Sequence, residues 1–362
     1  MTKRLYNFNP GPAALPLEVL KQAQEQFVDY QGMGISLMEM SHRSRAVEEL
    51  NLETQQLLLK LLGLKDDYDV LFMGGGASTQ FALLPLNFLP QDKTANYVLT
   101  GSFADKAYKE ATHVGHTHVA ASAKEQNWQS IPVFTEADLA PNSAYAHITL
   151  NNTIEGSRYQ DIPDVGNTPL VADMTSDILS RKLDLNRFSM IYAGAQKNLG
   201  PAGVTVVVIR KDWLEQGSKR IPEILRYMTF AGHKSLYNTP PVHSIYMMNL
   251  VLKWTVQQGG VEQLEQQNAA KAKLIYDVID ASGGFYQGII DAKDRSDMNI
   301  TWRMANEDMQ RKFIKESEAK GFEGLAGHRS VGGLRASAYN GVSLEACRAL
   351  ADYMADFAKK QG

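Results

Sequence analysis

Three short stretches carry residues able to do chemistry together. In Ser189-Met-Ile-Tyr-Ala-Gly-Ala-Gln-Lys-Asn-Leu-Gly-Pro201 an apolar run leads into Lys197, with small residues before it and Gly-Pro-Ala-Gly after it. An arbitrary lysine is a solvated surface charge, but small neighbours imply an enclosed ammonium whose pKa falls and whose amine suits Schiff-base chemistry. In Pro169-Leu-Val-Ala-Asp-Met-Thr-Ser176, Asp173 closes another apolar run, 24 positions before Lys197. A buried carboxylate there needs a partner, although capping a helix or joining a structural ion pair is the commoner use of a strand-end aspartate. In Val70-Leu-Phe-Met-Gly-Gly-Gly-Ala-Ser-Thr-Gln80 three glycines separate an apolar strand from a helix expected to start at Ser78. Free N–H groups and the helix dipole could hold a phosphate there; the run reads equally as a tight turn, because it lacks both the Walker ending and the dinucleotide glycine spacing. Acid, lysine and cradle together match the three handles of pyridoxal phosphate: an aldehyde that needs a lysine, a ring nitrogen that needs a carboxylate, and a phosphate that needs backbone donors.

The elements that must position these residues follow from periodicity. Pro10, Pro12 and Pro16 keep the opening extended, and helical spacing of Leu, Val and Phe predicts helices over 17–30 and 44–62. Apolar runs at 68–73, 96–100, 146–150, 169–172, 189–193 and 203–209 alternate with helix-length or loop segments, which predicts an α/β fold with a mainly parallel, helix-covered sheet. In such sheets ligands gather beyond the carboxyl ends of the strands. A long helical pattern over 243–280 leads to a glycine-rich loop at 321–333 and a helix at 343–359. The expected organisation is an extended segment at 1–16, a large domain at 17–260 and a smaller α+β domain at 261–362.

At 362 residues and 44% hydrophobic the chain can bury a full core, and length favours two domains with a cleft between them. A formal net charge of −3 provides no global field for nucleic acid or an anionic membrane. A single cysteine, Cys347, excludes an intrachain disulfide and fits the cytoplasm. The opening lacks the apolar core of a signal peptide, no apolar stretch is long enough to span a bilayer, and no Cys/His spacing suggests a metal.

The whole chain resembles the phosphoserine aminotransferases, in the class V branch of the fold-type I pyridoxal-phosphate enzymes. The likeness runs through Phe8-Asn-Pro-Gly-Pro-Ala13, Met38-Glu-Met-Ser-His-Arg43, Gly74–Gly76, Ala193–Asn198, Tyr237-Asn-Thr-Pro-Pro241 and Gly327-His-Arg-Ser-Val-Gly-Gly-Leu-Arg-Ala-Ser-Ala-Tyr-Asn340. The resemblance implies that Gly76, Ala77 and Ser78 hold the cofactor phosphate, Phe103 stacks on the ring, Thr153 meets the ring hydroxyl, Asp173 pairs with the ring nitrogen, and Gln196 flanks the Schiff-base residue Lys197. It implies a homodimer in which Asn238 and Thr239 reach the other subunit's cofactor. It further implies that Arg335 takes the substrate α-carboxylate, and that His42, Arg43, His328 and Arg329 take the distal group, some of them from the partner. Several relatives have Arg in place of Ala77 and Trp in place of Phe103; backbone donors and a phenyl face can still serve. Arg45 is left without a role.

The activity so implied is exchange of an amino group between L-glutamate and 3-phosphohydroxypyruvate, giving 2-oxoglutarate and O-phospho-L-serine, a step of serine biosynthesis. An alanine–glyoxylate type aminotransferase of the same class is the alternative, although its small substrates need fewer distal cations. A cysteine desulfurase would need a mobile thiol, and Cys347 sits in the amphipathic run Leu344-Glu-Ala-Cys-Arg-Ala-Leu350. A non-catalytic nucleotide-binding protein would leave Asp173 and Lys197 unexplained.

Overall fold

A computed structural model describes residues 4–361, so the first three residues of the expected opening segment lie outside it. The chain begins with strand β1 (Tyr6–Asn7) and helices α1 (Leu17–Glu25) and α2 (Arg45–Leu62). The middle runs β2 (Tyr68–Met73), α3 (Gly76–Phe88), β3 (Thr94–Leu99), α4 (Ser102–Thr112), β4 (His116–Ser122), β5 (Ser143–Thr149), β6 (Leu170–Asp173), β7 (Met190–Gly194) and β8 (Thr205–Arg210). Short helices α5 (Lys211–Leu214) and α6 (Tyr227–Gly232) lead to α7 (Val242–Gln257) and α8 (Gly260–Ala281). The chain closes with β9 (Tyr286–Gly288), β10 (Asn299–Met304), α9 (Glu307–Ala319), β11 (Phe322–Glu323), β12 (Leu334–Ser337) and α10 (Leu344–Gln361).

Strands β2 to β8 form one seven-stranded sheet in the order β2-β8-β7-β6-β5-β3-β4. All pairings are parallel except those of β8, which runs antiparallel to β2 and β7. Alternate residues of β2 serve opposite faces, as strand geometry requires. Val70 and Phe72 join a core with Leu58 of α2 and Ile245 and Met248 of α7, whereas Leu71 and Met73 pack with Phe81 and Leu84 of α3. Both faces are therefore covered, which is why these strands read as continuous apolar runs. A second sheet, β12-β10-β9, packs with α8 and α10 around Trp302, Phe313 and Leu350. Strand β1 pairs in parallel with β11, and Phe8 is buried in that same C-terminal core.

The helix expected over 17–30 ends at Glu25. Ser36 Oγ donates to the Phe27 carbonyl at 2.7 Å, and Gln31 adopts φ +54, so the chain turns instead of continuing. The single helical pattern at 243–280 is two helices, broken where Gly259 and Gly260 take φ +93 and +81. Helix α3 starts at Gly76, two residues before the expected Ser78. Strand β4 was not expected; its sequence, His-Thr-His-Val-Ala-Ala-Ser, lies on the sheet edge and lacks an apolar run.

Candidate active site

Because β2, β3, β5, β6 and β7 point the same way, their carboxyl ends share one edge of the sheet, and the chemically suspect residues collect there. They line a cavity of about 430 Å³ that includes Gly76, Ala77, Ser78, Phe103, Thr153, Asp173, Gln196, Lys197, His328 and Arg335. A larger cleft of about 820 Å³ lies elsewhere, near Gly63 and Gly259, where Arg181 and Lys182 are already paired with Asp177 and Glu262.

Asp173 is the last residue of β6, beside Thr149 of β5 and Tyr192 of β7, and is only 5% exposed. Its Oδ1 accepts from Thr175 N at 2.9 Å. Burial raises its carboxyl pKa, against the opposing pull of the Thr175 donors and the positive charge of Lys197. Lys197 follows β7 by three residues and is 8% exposed. Its pKa is pushed down to about 8, first by burial and also by the Arg335 charge, while Asp173 and Glu155 oppose the shift. Lys197 Nζ donates to Thr153 Oγ1 at 2.5 Å and stands 5.4 Å from the centroid of the Phe103 ring. Gly11 lies against the lysine stem, and a Cβ there would stand 3.4 Å from Lys197 Cγ.

At the β2–α3 junction Gly75 and Gly76 take φ +87 and +67, which turns the chain sharply and brings the first residues of α3, whose amides have no partner within the helix, to the cavity wall. A Cβ on Gly75 would fall 1.9 Å from Thr79 Oγ1, so the turn requires glycine there. Phe103 sits in the first turn of α4, held by Ser102, whose N and Oγ donate to Glu155 Oε1 at 2.8 and 2.6 Å. Arg335, on β12 opposite Thr301, is 4% exposed and donates from Nη1 to the Thr153 carbonyl at 2.9 Å. Its Nε and the hydroxyl of Thr149 are buried cavity-wall groups without a partner.

The remaining cations divide into two groups. His328 lines the cavity, and Arg329 lines an adjoining cleft that shares His328 and Arg335. His42, Arg43, Asn238 and Thr239 line neither space, yet the two segments meet, with His42 Nδ1 3.1 Å from Thr239 Oγ1. Arg45 is an exposed helix residue paired with Glu49 at 2.7 Å. Cys347 is buried and its thiol is pushed up to about 11, which excludes a mobile nucleophile. Sequence reasoning missed Gly11, Lys106, Thr149, Glu155 and Ser176. The available signals were the family motif Phe8–Ala13 around Gly11, the three-residue spacing of Lys106 from Phe103 and the polar run around Asp173. Among the described residues there is no cluster of metal-ligating side chains, and no helix is long and apolar enough to cross a membrane.

The wall fits pyridoxal phosphate: amides at a helix start for a phosphate, a buried acid, an aromatic face, a buried amine of lowered pKa and unpartnered polar groups. Residues 5–350 match the family described as Aminotransferase class-V. The chain is 57% identical to the phosphoserine aminotransferase of Niallia circulans over 362 residues, with all of both chains covered. It is 51% identical to that of Herpetosiphon aurantiacus over 99% of both chains. Among solved structures, phosphoserine aminotransferase from Bacillus circulans subsp. alkalophilus superposes with a TM-score of 0.97 at 56% identity over 99% of both chains. The PLP-bound enzyme from Trichomonas vaginalis gives 0.91 at 34% identity, over 97% of this chain and 99% of the other.

Proposed function

The chain belongs to the class-V aminotransferases, and from that membership we propose that it is a pyridoxal-phosphate enzyme interconverting L-glutamate and 3-phosphohydroxypyruvate with 2-oxoglutarate and O-phospho-L-serine. The observation that carries this reading is the single buried wall that joins Asp173, Lys197 and Arg335 beside the glycine turn. When bound, the cofactor supplies an aldehyde that condenses with amines and a ring that withdraws electrons from the substrate Cα.

The protein's part is to bind, orient and move protons. The amides of Gly76 and Ala77 with Ser78 would hold the phosphate, Phe103 would cover the ring, Thr153 would serve its hydroxyl, Gln196 would flank the lysine, and Asp173 would keep the ring nitrogen protonated. Arg335 is suited to a planar α-carboxylate because its guanidinium is already fixed by the Thr153 carbonyl. The free amine of Lys197 would take the proton from the substrate Cα; its lowered pKa leaves roughly one-tenth of it neutral at pH 7, far more than for an ordinary lysine. His328 and Arg329 take the distal group from one side.

The enzyme acts as a homodimer in the cytoplasm, with residues 17–260 as the cofactor-binding domain and 261–362 as the small domain. The joined segments carrying His42, Arg43, Asn238 and Thr239 stand outside their own cavity, which supports their use across a subunit boundary. Exposed Phe27, Val28, Met33 and Met38 offer an apolar surface on the approach to that segment. A half-reaction with O-phospho-L-serine compared with L-alanine and L-serine tests the reading. Rapid conversion by phosphoserine alone is expected. Equal rates with alanine overturn it in favour of the alanine–glyoxylate type.

A further inference from the structure

One cation of the cavity wall has no part in the function proposed above, on which this inference rests. Lys106 lies on α4 three residues after Phe103, a spacing that places both side chains on one helix face, and it lines the cavity of Lys197 and Arg335. Its Nζ stands 5.2 Å from the Phe103 ring centroid, nearly the same distance as Lys197 Nζ. Asp105, the adjacent acid, is held by Lys109 at 2.6 Å and Lys124 at 3.2 Å, and among the described residues Lys106 forms no ion pair. The side chain is exposed, and its charge acts on His328, whose imidazole pKa is lowered first by burial and then by Arg335, Arg329 and Lys106.

We propose that Lys106 is a specificity-determining residue, an ammonium at the cavity mouth that binds the distal phosphate dianion of the substrate more strongly than a distal carboxylate. Arg335 is buried and tied to Thr153, so it defines the α-carboxylate end; Lys106 is exposed on the outer side, where a distal group must extend. A flexible point charge suits a phosphate, and its attraction to a dianion is twice that to a single carboxylate at equal distance.

The test uses K106Q and K106R as purified holoenzymes. Apparent dissociation constants for O-phospho-L-serine and L-glutamate come from half-reactions, and calorimetry measures binding of inorganic phosphate. K106Q should weaken phosphoserine and phosphate about tenfold and glutamate about threefold, while flattening the salt dependence of phosphoserine binding. K106R should restore the parent values. Unchanged affinities, or equal weakening of phosphoserine and glutamate, would overturn the assignment and leave Lys106 as a cation stacked on Phe103. A parent enzyme that does not distinguish phosphoserine from serine overturns the proposed function, and the role of Lys106 with it.

Discussion

The ammonium of Lys197 donates to Thr153 Oγ1 at 2.5 Å. That hydroxyl in turn lies 2.9 Å from Ser176 Oγ, and the Thr153 carbonyl accepts from Arg335, so one threonine links the reactive amine to the arginine at the far wall. Burial, helped by the Arg335 charge, outweighs the pull of Asp173 and Glu155 and sets the lysine pKa to about 8.

The sign of the resulting pH dependence is fixed. An amine must be neutral to condense with an aldehyde, and raising pH deprotonates it. At pH 7.5 a lysine of pKa 8 is roughly one-quarter neutral, against roughly one part in a thousand for an ordinary lysine. Cofactor uptake by the cofactor-free protein, followed by visible absorbance, should accelerate as pH rises toward 8 and level off above it. A rate that climbs tenfold per pH unit up to 10 would show a solvated lysine.

Asp173→Asn keeps the side-chain volume and an oxygen for Thr175 N, so the fold should stand. The amide cannot hold a proton on the ring nitrogen. We expect kcat to fall by at least about 100-fold with unchanged thermal unfolding, measured by steady-state kinetics and circular dichroism. A loss below tenfold would remove Asp173 from the chemistry.

Arg335→Lys replaces a fork with a point charge. Both amino-acid substrates carry an α-carboxylate, so kcat/KM for glutamate and phosphoserine should fall together, by about 10- to 100-fold. A loss confined to phosphoserine would move Arg335 to the distal end of the pocket.

Much of this site was legible because its main residues stand at strand ends. Asp173 and Lys197 follow apolar runs whose alternation with helices already implied a shared sheet edge, and the family motifs added the arginine loop. What stayed hidden depends on tertiary neighbours. Glu155 matters through Ser102, 53 positions away, and Lys106 through the ring of Phe103 and the charge of Asp105, which goes to other lysines. Polar β4 showed no apolar signature, and helical periodicity continued across Gly259-Gly260 although the backbone does not.

The glycine turn offers a stability test. Gly75→Ala forces an L-residue to φ +87 and drives a methyl into Thr79, whose hydroxyl bonds the Gly75 carbonyl at 3.0 Å. At Gly76 the same methyl meets no atom within 4 Å. Denaturant unfolding should show a cost of about 2–4 kcal/mol for Gly75→Ala and about 1–2 kcal/mol for Gly76→Ala, where only backbone strain applies. Equal costs would mean that Thr79 moves aside freely.

The most direct test asks which amine carries the cofactor. Borohydride fixes a lysine–aldehyde linkage irreversibly, and peptide mass mapping then locates it. The pyridoxyl mass should appear on the peptide containing Lys197, at a stoichiometry approaching one per chain, and should vanish in Lys197→Ala. Stoichiometric label on another lysine, or on none, would contradict the assignment of this cavity as a pyridoxal-phosphate site.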